Sequence, residues 1–468
     1  MESRRFFVYL QDTHSEVTGS GHHNKAVFPN KEDTTFLVDC GSFQGEEHSR
    51  EYNTSFPFKP ENIGFVLITH NHLDHIGRLP MLSYQGFNGK CYATEATKVL
   101  LPYALQDNYR INSKGEMFYT REDVERILNK TIGIQYNIPT KVSKNITITM
   151  LGNGHLPGAA SILVQIQNPM SNDSINLLYS GDYHPTNMFF KVPEIPEWVK
   201  QLPLTVILES TYGGETTQDI NYCFKENLLR AIREEKVVFC PAFSLGRTQE
   251  VLYTIRKIQD EVPSLRGVEV RQDGVLSFKY NSEYFNNTIG IDVTKREFLP
   301  YRLGYVESQT ERYNLVNSKG PKIIISSSGM GSHGPAQFYL PNLLERKDAM
   351  IHFTGYLVKD TNGRRIIESD DDSVINNIFG REYVVKRAKV CFTSEFSKHA
   401  KQDELISYLK QFNNIRAVLL NHGSQEKKET LQEAIKMNGI AKHVEILSRD
   451  VVFRIGPWGI EKSFPSKA

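Results

Sequence analysis

At four places in this chain, histidines or aspartates lie at or just past the end of an apolar, strand-like run, and this pattern restricts the fold more than any other. After the run 64–69 come His70, His72, Asp74 and His75, three histidines and an aspartate within six residues. Imidazole and carboxylate groups are ligands that Zn²⁺ accepts. Because only 14 of the 468 residues are histidines, this clustering predicts a metal site rather than a polar turn.

The other three positions each hold one ligand-type residue beside a glycine, which lets the backbone approach a crowded site closely. They are His155, Asp182 and His422, after the runs 146–150, 177–180 and 417–420. Taken singly, a histidine after a strand is better explained as a hydrogen-bonded loop residue. Taken together and in this order, the four positions predict side chains that converge on one metal centre.

Apolar runs alternate with amphipathic stretches along the chain, which predicts an α/β fold. The other strand-like runs are 35–38, 206–208, 237–240, 322–326 and 350–353, and the amphipathic stretches are 120–128, 400–412 and 427–437. The polar stretch 168–176 and the acidic patch 368–372 are predicted to be exposed loops. A chain of 468 residues suits two to four domains.

Charge and composition exclude some classes of protein and leave others open. With 55 basic and 54 acidic residues the net charge is +1, so charge gives no support to a nucleic-acid partner. The mean hydropathy is −0.41, and no apolar run approaches the ~18 residues of a membrane span. No signal peptide is predicted. Five scattered cysteines favour a reducing cytoplasm.

These ordered residues, with Asp39 in LVDCG (37–41), resemble the motifs of the metallo-β-lactamase superfamily. Other segments resemble its β-CASP nucleases, a group that includes ribonuclease J and the endonuclease that cleaves messenger-RNA precursors before polyadenylation. LESTYG (208–213) resembles motif A with Glu209 as its acid, FSKHA (396–400) resembles motif B with His399, and LNHG (420–423) resembles motif C. Further matches, within a span of about 16–445, are EVTGS (16–20), FQG (43–45), PAFSLGRTQE (241–250), SSSGM (326–330) and the stretch 353–365.

The resemblance implies an α/β architecture, an αββα metallo-β-lactamase sandwich with an inserted α/β β-CASP cap domain. The implied domains are the sandwich at 1–216 and 388–468 and the cap at 217–387, a minimal, bacterial-type arrangement. Glu209 and His399 lie 190 residues apart. They can share a site only if the chain between them forms an inserted segment that leaves the sandwich and returns to it. The stretch 264–305 resembles no family segment, and its role is left open.

The resemblance also implies two Zn²⁺ per chain, with Mn²⁺ as an alternative because His/Asp sites accept both ions. His70, His72 and His155 would hold one ion and Asp74, His75 and His422 the other, with Asp182 bridging them. Asp39 would hydrogen-bond a ligand histidine. His399, paired with Glu209, would protonate the leaving oxygen or orient the scissile phosphate. The implied catalytic residues are Asp74, Asp182, Glu209 and His399.

Substrate contacts are predicted at Ser327, Ser328, Gly329, Arg364 and His352. Short polar loops with glycine donate hydrogen bonds to phosphate oxygens, and arginine neutralises phosphates. Ordinary alternatives stay open for each: a serine-rich turn, a structural salt bridge, or a hydrogen-bonded histidine at a sheet edge.

The resemblance implies a metal-dependent hydrolase that cuts phosphodiester bonds of RNA, expected to be single-stranded, as an endonuclease, a 5′-exonuclease or both. Two other classes stay open. The long insertion argues against a small-molecule thioesterase or lactamase, and the complete ligand set argues against a partner-dependent RNA-processing subunit. By resemblance, His422 favours RNA over DNA. The sequence leaves a homodimer open. Departures from the family pattern at Asn153 and at 183–185 change no ligand.

Overall fold

The computed structural model describes residues 5–14, 19–43, 49–112, 118–286, 288–291, 293–358 and 361–465. The predicted motif residues 16–18 and 44–45 lie outside these ranges. The chain divides into two compact units. Unit 1 comprises Met1–Gln218, Thr288–Gly290 and Lys398–Ala468, and unit 2 comprises Asp219–Asn287 and Ile291–Ser397. The predicted domain boundaries at 216/217 and 387/388 stay predictions.

Strands and helices alternate along the chain, and this confirms the α/β class. In chain order the strands are β1 Phe7–Asp12, β2 His22–Val27, β3 Thr34–Val38, β4 Phe65–Leu67, β5 Lys90–Thr94, β6 Thr131–Ile134, β7 Thr140–Ser143, β8 Ile146–Gly152, β9 Ala160–Gln167, β10 Ser174–Tyr179, β11 Leu204–Glu209, β12 Val237–Pro241, β13 Glu269–Asp273, β14 Leu303–Tyr305, β15 Lys322–Ser326, β16 Ala349–Phe353, β17 Val374–Ile378, β18 Arg381–Val385, β19 Lys389–Phe392, β20 Ile415–Asn421, β21 His443–Ile446, β22 Val451–Gly456 and β23 Gly459–Pro465.

The helices are α1 Ser49–Thr54, α2 Leu73–Ile76, α3 Leu79–Tyr84, α4 Glu95–Asn112, α5 Arg121–Lys130, α6 Glu197–Lys200, α7 Phe224–Arg233, α8 Arg247–Glu261, α9 Val275–Phe285, α10 Lys295–Phe298, α11 Gln309–Asn317, α12 Ala336–Leu344, α13 Asn362–Glu368, α14 Gln402–Leu409 and α15 Gln425–Met437. None of the helices in the described part of the chain is long and apolar enough to cross a membrane.

Two sheets of unit 1 pack face to face. The first has eight strands in the order β23-β22-β1-β2-β3-β4-β5-β6, and the second has seven in the order β21-β20-β11-β10-β9-β8-β7. Buried apolar side chains from both sheets form one core, with Phe36 and Leu67 from the first sheet and Ile162 and Leu177 from the second. This core is the inner layer of a sandwich.

Helices cover the outer face of each sheet in unit 1. On the first sheet, Val66 shares a buried cluster with Val124 of α5. On the second, Leu178 shares one with Leu405 of α14 and Leu431 of α15. The layers therefore run helix, sheet, sheet, helix, which is the predicted αββα sandwich.

Unit 2 is built on a parallel sheet of six strands in the order β14-β13-β15-β12-β16-β19, with the separate hairpin β17-β18. Its core includes Phe239 and Ile324 from the sheet, Leu340 from α12 and Ile366 from α13. The stretch 264–305 supplies β13, β14, α9 and α10. Its strands β13 and β14 therefore belong to one edge of that sheet.

Candidate metal centre

Strand ends bring the predicted ligand residues together in unit 1. The strands β10, β11 and β20 run parallel to one another, with Leu208 beside Leu420. Because parallel strands end at the same edge of a sheet, Asp182, Glu209 and His422 emerge side by side. The loops that follow β3, β4 and β8 reach the same place.

The turn after β3 packs directly against the backbone of the stretch 70–75. A Cβ atom at Gly41 would lie 1.5 Å from the carbonyl oxygen of Asp74, so a larger residue does not fit there. The Cys40 N–H donates to the carbonyl of His75 at 2.8 Å. These contacts fix the backbone from which two of the predicted ligands project.

Three imidazoles and one carboxylate surround a first point. His70, His72, His155 and Asp182 each offer one ligand atom, and these atoms all lie within 4.8 Å of one another. Nε2 of His155 lies 3.2 Å from Nδ1 of His72. Oδ2 of Asp182 lies 3.5 Å from Nε2 of His70 and 3.7 Å from Nε2 of His155. The lone pairs of neutral imidazoles that face one another in this way suit a shared cation.

A second group surrounds the other oxygen of the same aspartate. Asp74, His75, Asp182 and His422 also offer atoms that lie within 4.8 Å of one another. Oδ1 of Asp182 lies 3.2 Å from Nε2 of His75 and 3.5 Å from Nδ1 of His422. Nε2 of His422 lies 3.5 Å from Oδ2 of Asp74. Asp182 therefore presents one oxygen to each group, as a bridging carboxylate does.

Several buried polar atoms of both groups make no hydrogen bond of normal geometry with the described residues, although some of them lie close to one another. They are Nε2 of His70, His75 and His422 and Oδ1 of Asp182. Buried polar atoms are normally paired, and an unpaired one costs about 1–3 kcal/mol. Imidazole nitrogens and a carboxylate oxygen are the donor set that binds a zinc-type ion. The residues present therefore fit bound metal.

Burial sets the charge states of the first group. Desolvation lowers the pKa of His72 to about 4 and holds the pKa values of His70 and His155 well below the usual value. Burial also opposes ionisation of Asp182, but the charges of His422, His75 and His399 outweigh it and hold the pKa of that carboxyl well below its usual range. Neutral imidazole and ionised carboxylate are the forms that bind metal.

Asp39 lies behind the second group and orients one of its histidines. Its Oδ2 accepts a hydrogen bond from Nδ1 of His75 at 2.7 Å, so Nε2 of that ring faces Asp182. The backbone N–H and the hydroxyl of Thr69 donate to the same carboxylate, each at 2.8 Å. Asp39 and His422 have φ values of 61° and 47°. Such left-handed backbone is uncommon outside glycine and is often kept where a site requires it.

His399 and Glu209 form a pair beside the two groups. Nδ1 of His399 lies 2.9 Å from Oε2 of Glu209, whose other oxygen accepts the backbone N–H of Tyr183. Nε2 of His399 lies 3.9 Å from Oδ2 of Asp182. The imidazole is 20% exposed and the carboxylate only 1%. The ring can therefore meet a substrate while its partner stays out of solvent.

The charge of His399 is set by two opposing effects. Burial lowers its pKa, but the carboxylates of Glu209 and Asp182 raise it more, and the result is a pKa of about 9. This pKa favours the protonated ring at neutral pH. A protonated imidazole with an accessible nitrogen can act as a general acid.

An ion-pair network joins the loop after β11 to the starts of α14 and α15. Nζ of Lys401 lies 2.8 Å from Oε2 of Glu215, and Nζ of Lys427 lies 3.1 Å from Oε1 of the same residue. Lys401 is 2% exposed, and its ammonium lies 3.4 Å from the centre of the Tyr212 ring. The network holds together the segments from which Glu209, His399 and His422 project.

Glu215→Gln is expected to lower the midpoint of thermal unfolding by about 2–6 °C, because the buried Lys401 ammonium loses its carboxylate at a cost of about 1–3 kcal/mol. Melting followed by circular dichroism measures the shift. The matched control is Glu32→Gln, which breaks the exposed pair with Lys144 and should change the midpoint very little. Equal shifts in the two variants would contradict this account.

Four of the predicted substrate contacts lie near the surface of unit 2. Ser327, Ser328 and Gly329 directly follow β15, with both serines partly exposed and the glycine buried. Arg364 is exposed on α13, where its guanidinium lies 2.5 Å from Glu368. An exposed ion pair of this kind is weak and can exchange partners, so the arginine stays available to an anion.

His352, the fifth predicted contact, lies inside the sheet of unit 2. It is 0% exposed, and its Nε2 lies 3.3 Å from Nδ2 of Asn227. Desolvation lowers its pKa to about 4, so the ring is neutral. This setting favours the alternative of a structural, hydrogen-bonded sheet histidine.

Two hydroxyl groups at the centre were missed by the sequence reasoning. Oγ1 of Thr69 bonds to Asp39 and lies 3.1 Å from Nδ1 of His70. Oγ1 of Thr211 lies 3.1 Å from Nδ1 of His422. Thr69 directly precedes the histidine cluster and Thr211 lies within LESTYG. These positions next to predicted site residues are the sequence feature that could have identified the two threonines. The spacing alone does not show which way such a side chain points.

Three family models match the chain. One for a metallo-β-lactamase superfamily domain matches residues 30–187, one for a Beta-Casp domain matches 248–366, and one for a Zn-dependent metallo-hydrolase RNA specificity domain matches 383–447. The first contains the ligand residues up to Asp182, and the third contains His399 and His422. Glu209 lies outside all three ranges.

Several curated proteins are similar to almost the whole chain. Ribonuclease TTHA0252 of Thermus thermophilus is 30% identical over 440 residues, which is 91% of this chain and 94% of that protein. Probable RNase MJ4 of Methanocaldococcus jannaschii is 28% identical, over 87% of this chain and 90% of that protein. Transcription termination factor FttA of Cenarchaeum symbiosum is 27% identical over 86% of this chain, but over only 65% of its own length.

Proposed function

This chain belongs to the β-CASP group of the metallo-β-lactamase superfamily, and from that membership we propose that it is a metal-dependent ribonuclease that hydrolyses RNA phosphodiester bonds. The observation that carries the proposal is the position of Asp182, with one oxygen toward each of two histidine-rich groups. The relatives named as ribonucleases and the RNA specificity model weigh against a small-molecule hydrolase.

Two Zn²⁺ are the proposed cofactors, with Mn²⁺ as the alternative. His70, His72 and His155 would hold one ion and Asp74, His75 and His422 the other, with Asp182 between them. Bound ions of this kind lower the pKa of water and offset the charge of a phosphoryl group. Asp39 keeps His75 in the ring orientation that presents Nε2 to the centre, because it holds the opposite nitrogen at 2.7 Å.

His399 is the proposed general acid. Cleavage of a phosphodiester leaves an alkoxide oxygen that needs a proton, and Nε2 of the protonated ring is the accessible donor. Glu209 holds Nδ1 at 2.9 Å, which fixes the ring and stabilises its charge. General acid catalysis of this kind contributes about 10²–10⁴-fold to a rate.

The proposed substrate is single-stranded RNA. Its backbone phosphates would meet the polar loop Ser327–Gly329 and the guanidinium of Arg364 in unit 2. The proposed compartment is the cytoplasm, since all five cysteines are free thiols, as a reducing compartment requires. A monomer and a homodimer are both compatible with the proposal.

Cleavage of a 5′-labelled, partly structured RNA on a denaturing gel, beside DNA of the same sequence, tests the function. Wild type should cut the RNA and leave the DNA, and Asp182→Ala should cut neither. Internal fragments would indicate an endonuclease, and labelled mononucleotide alone would indicate a 5′-exonuclease. A protein that holds two metal ions per chain and cuts neither strand would refute the proposal in favour of a small-molecule hydrolase or a partner-dependent subunit.

Glu209→Gln is expected to move the basic limb of the pH–rate profile to lower pH. His399 acts in its protonated form, so activity is present below its pKa and is lost as the pH rises through it. The amide of the glutamine lacks the charge that raises this pKa to about 9. Activity should therefore start to fall at a lower pH than in the wild type. Values of kcat/KM from about pH 6 to about pH 10 measure the shift. The matched control is Glu445→Gln, at an exposed site on β21, which should keep the wild-type profile. If the basic limb does not move in Glu209→Gln, that limb belongs to a group other than His399.

A further inference from the structure

One buried carboxamide connects the two loops that carry His155 and Asp182. Asn153 is 1% exposed, and its Nδ2 donates to the carbonyl oxygens of Ser180 at 3.1 Å and Asp182 at 2.7 Å. Its Oδ1 accepts the backbone N–H groups of His155 at 2.9 Å and His184 at 3.3 Å. Two donated and two accepted bonds use the whole capacity of the amide.

A close backbone approach accompanies these four bonds. The N–H of Gly154 donates to the carbonyl of His184 at 2.8 Å. A Cβ atom at Gly154 would lie 2.7 Å from that oxygen and 2.5 Å from the carbonyl oxygen of Thr186. Glycine thus permits the two loops to touch, and the Asn153 side chain fixes their register. The register matters because Nε2 of His155 and Oδ2 of Asp182 lie only 3.7 Å apart.

We infer that Asn153 is a positioning residue for the metal centre, whose carboxamide sets the spacing between His155 and Asp182 that metal binding requires. The inference rests on the metal ligands of the proposed function. Asn153 acts through the backbone, since none of its four bonds involves a ligand atom. Loss of a hydrogen-bond partner of a metal ligand typically costs about 10–100-fold in metal affinity, and we expect an effect of the same order here.

The central experiment compares two buried asparagines in the absence of RNA. Asn176 on β10 is 3% exposed and donates to the carbonyl of Pro203 at 3.1 Å, so Asn176→Ala also removes a buried amide. Zn²⁺ affinity is measured on the full chain by competition with a chelator of known affinity. Asn153→Ala should bind Zn²⁺ about 10–100-fold more weakly than wild type, whereas Asn176→Ala should stay within about twofold. Both variants should unfold at a lower temperature than wild type.

The absorption spectrum of the Co²⁺-loaded protein gives a second readout, since its visible bands report ligand geometry. They should change in Asn153→Ala and not in Asn176→Ala. If Asn153→Ala does not fold, Asn153→Ser replaces it, and its single hydroxyl should restore only part of the affinity. Wild-type affinity and spectrum in the folded Asn153 variant would overturn the inference. A wild-type chain that binds no metal would instead refute the metal centre of the proposed function.

Discussion

An Asp182→Ala variant should cleave RNA at least about 10³-fold more slowly than wild type and should retain less metal. In the wild type, the Asp182 carboxylate faces both groups of proposed metal ligands. Its Oδ2 lies 3.5 Å from Nε2 of His70, and its Oδ1 lies 3.2 Å from Nε2 of His75. Without it, mainly neutral imidazoles would face two divalent cations with one fewer anion to offset their charge. Removal of one electrostatic donor from an active site typically lowers a rate about 10²–10³-fold. The expected loss of cleavage rate is larger here, because activation of water by the metal ions fails as well.

Single-turnover cleavage and elemental analysis of the purified variant measure the two effects together. Asp450→Ala removes an exposed aspartate from the same unit and should match wild type in both. Asp182→Asn keeps the shape of the side chain and removes the charge, so it separates electrostatics from packing. An Asp182→Ala protein with wild-type metal content and rate would place Asp182 outside the centre.

The local pattern predicted many elements of the fold closely. The run 322–326 coincides with β15, and the stretch 120–128 overlaps α5, which begins where Thr120 and Asp123 form a capping box. By contrast, the long helix α4 was not predicted, and it contains Pro102, a residue that usually marks a helix boundary. Pairing between β1 and β22, which sets Leu10 beside Phe453, joins the two ends of the chain and has no local signal.

Residues of the candidate site could be predicted where a ligand-type side chain and its position after an apolar run occur within one short segment. His70 lies in a dense cluster of ligand-type residues, and Asp182 belongs to an ordered set of such residues after apolar runs, so the sequence alone points to both. The bonds of Asn153 and the burial of Lys401 depend on how closely distant loops approach, which no single segment encodes. His352 lies on β16, between β12 and β19, and the sequence of a strand inside a parallel sheet does not show that both of its faces are covered.

A His399→Ala variant should cleave RNA about 10²–10⁴-fold more slowly than wild type and keep its full metal content. The imidazole bonds to Glu209 at 2.9 Å and stands 3.9 Å from Oδ2 of Asp182, so it is placed to move a proton rather than to complete either proposed ligand set. The matched control is His443→Ala, which removes an exposed imidazole from β21 and should leave both the rate and the metal unchanged.

An RNA whose leaving oxygen is replaced by sulfur sharpens the test of His399. A thiolate leaves without first taking a proton, so the defect of His399→Ala should shrink with this substrate if the ring is the general acid. An equal defect with both substrates would leave orientation of the phosphate as the role of the ring. Loss of metal would have a different meaning, because His399, Glu209, Asp182 and His422 also offer atoms within 4.8 Å of one another. That result would make His399 a ligand, and the proton donor would then have to be sought elsewhere.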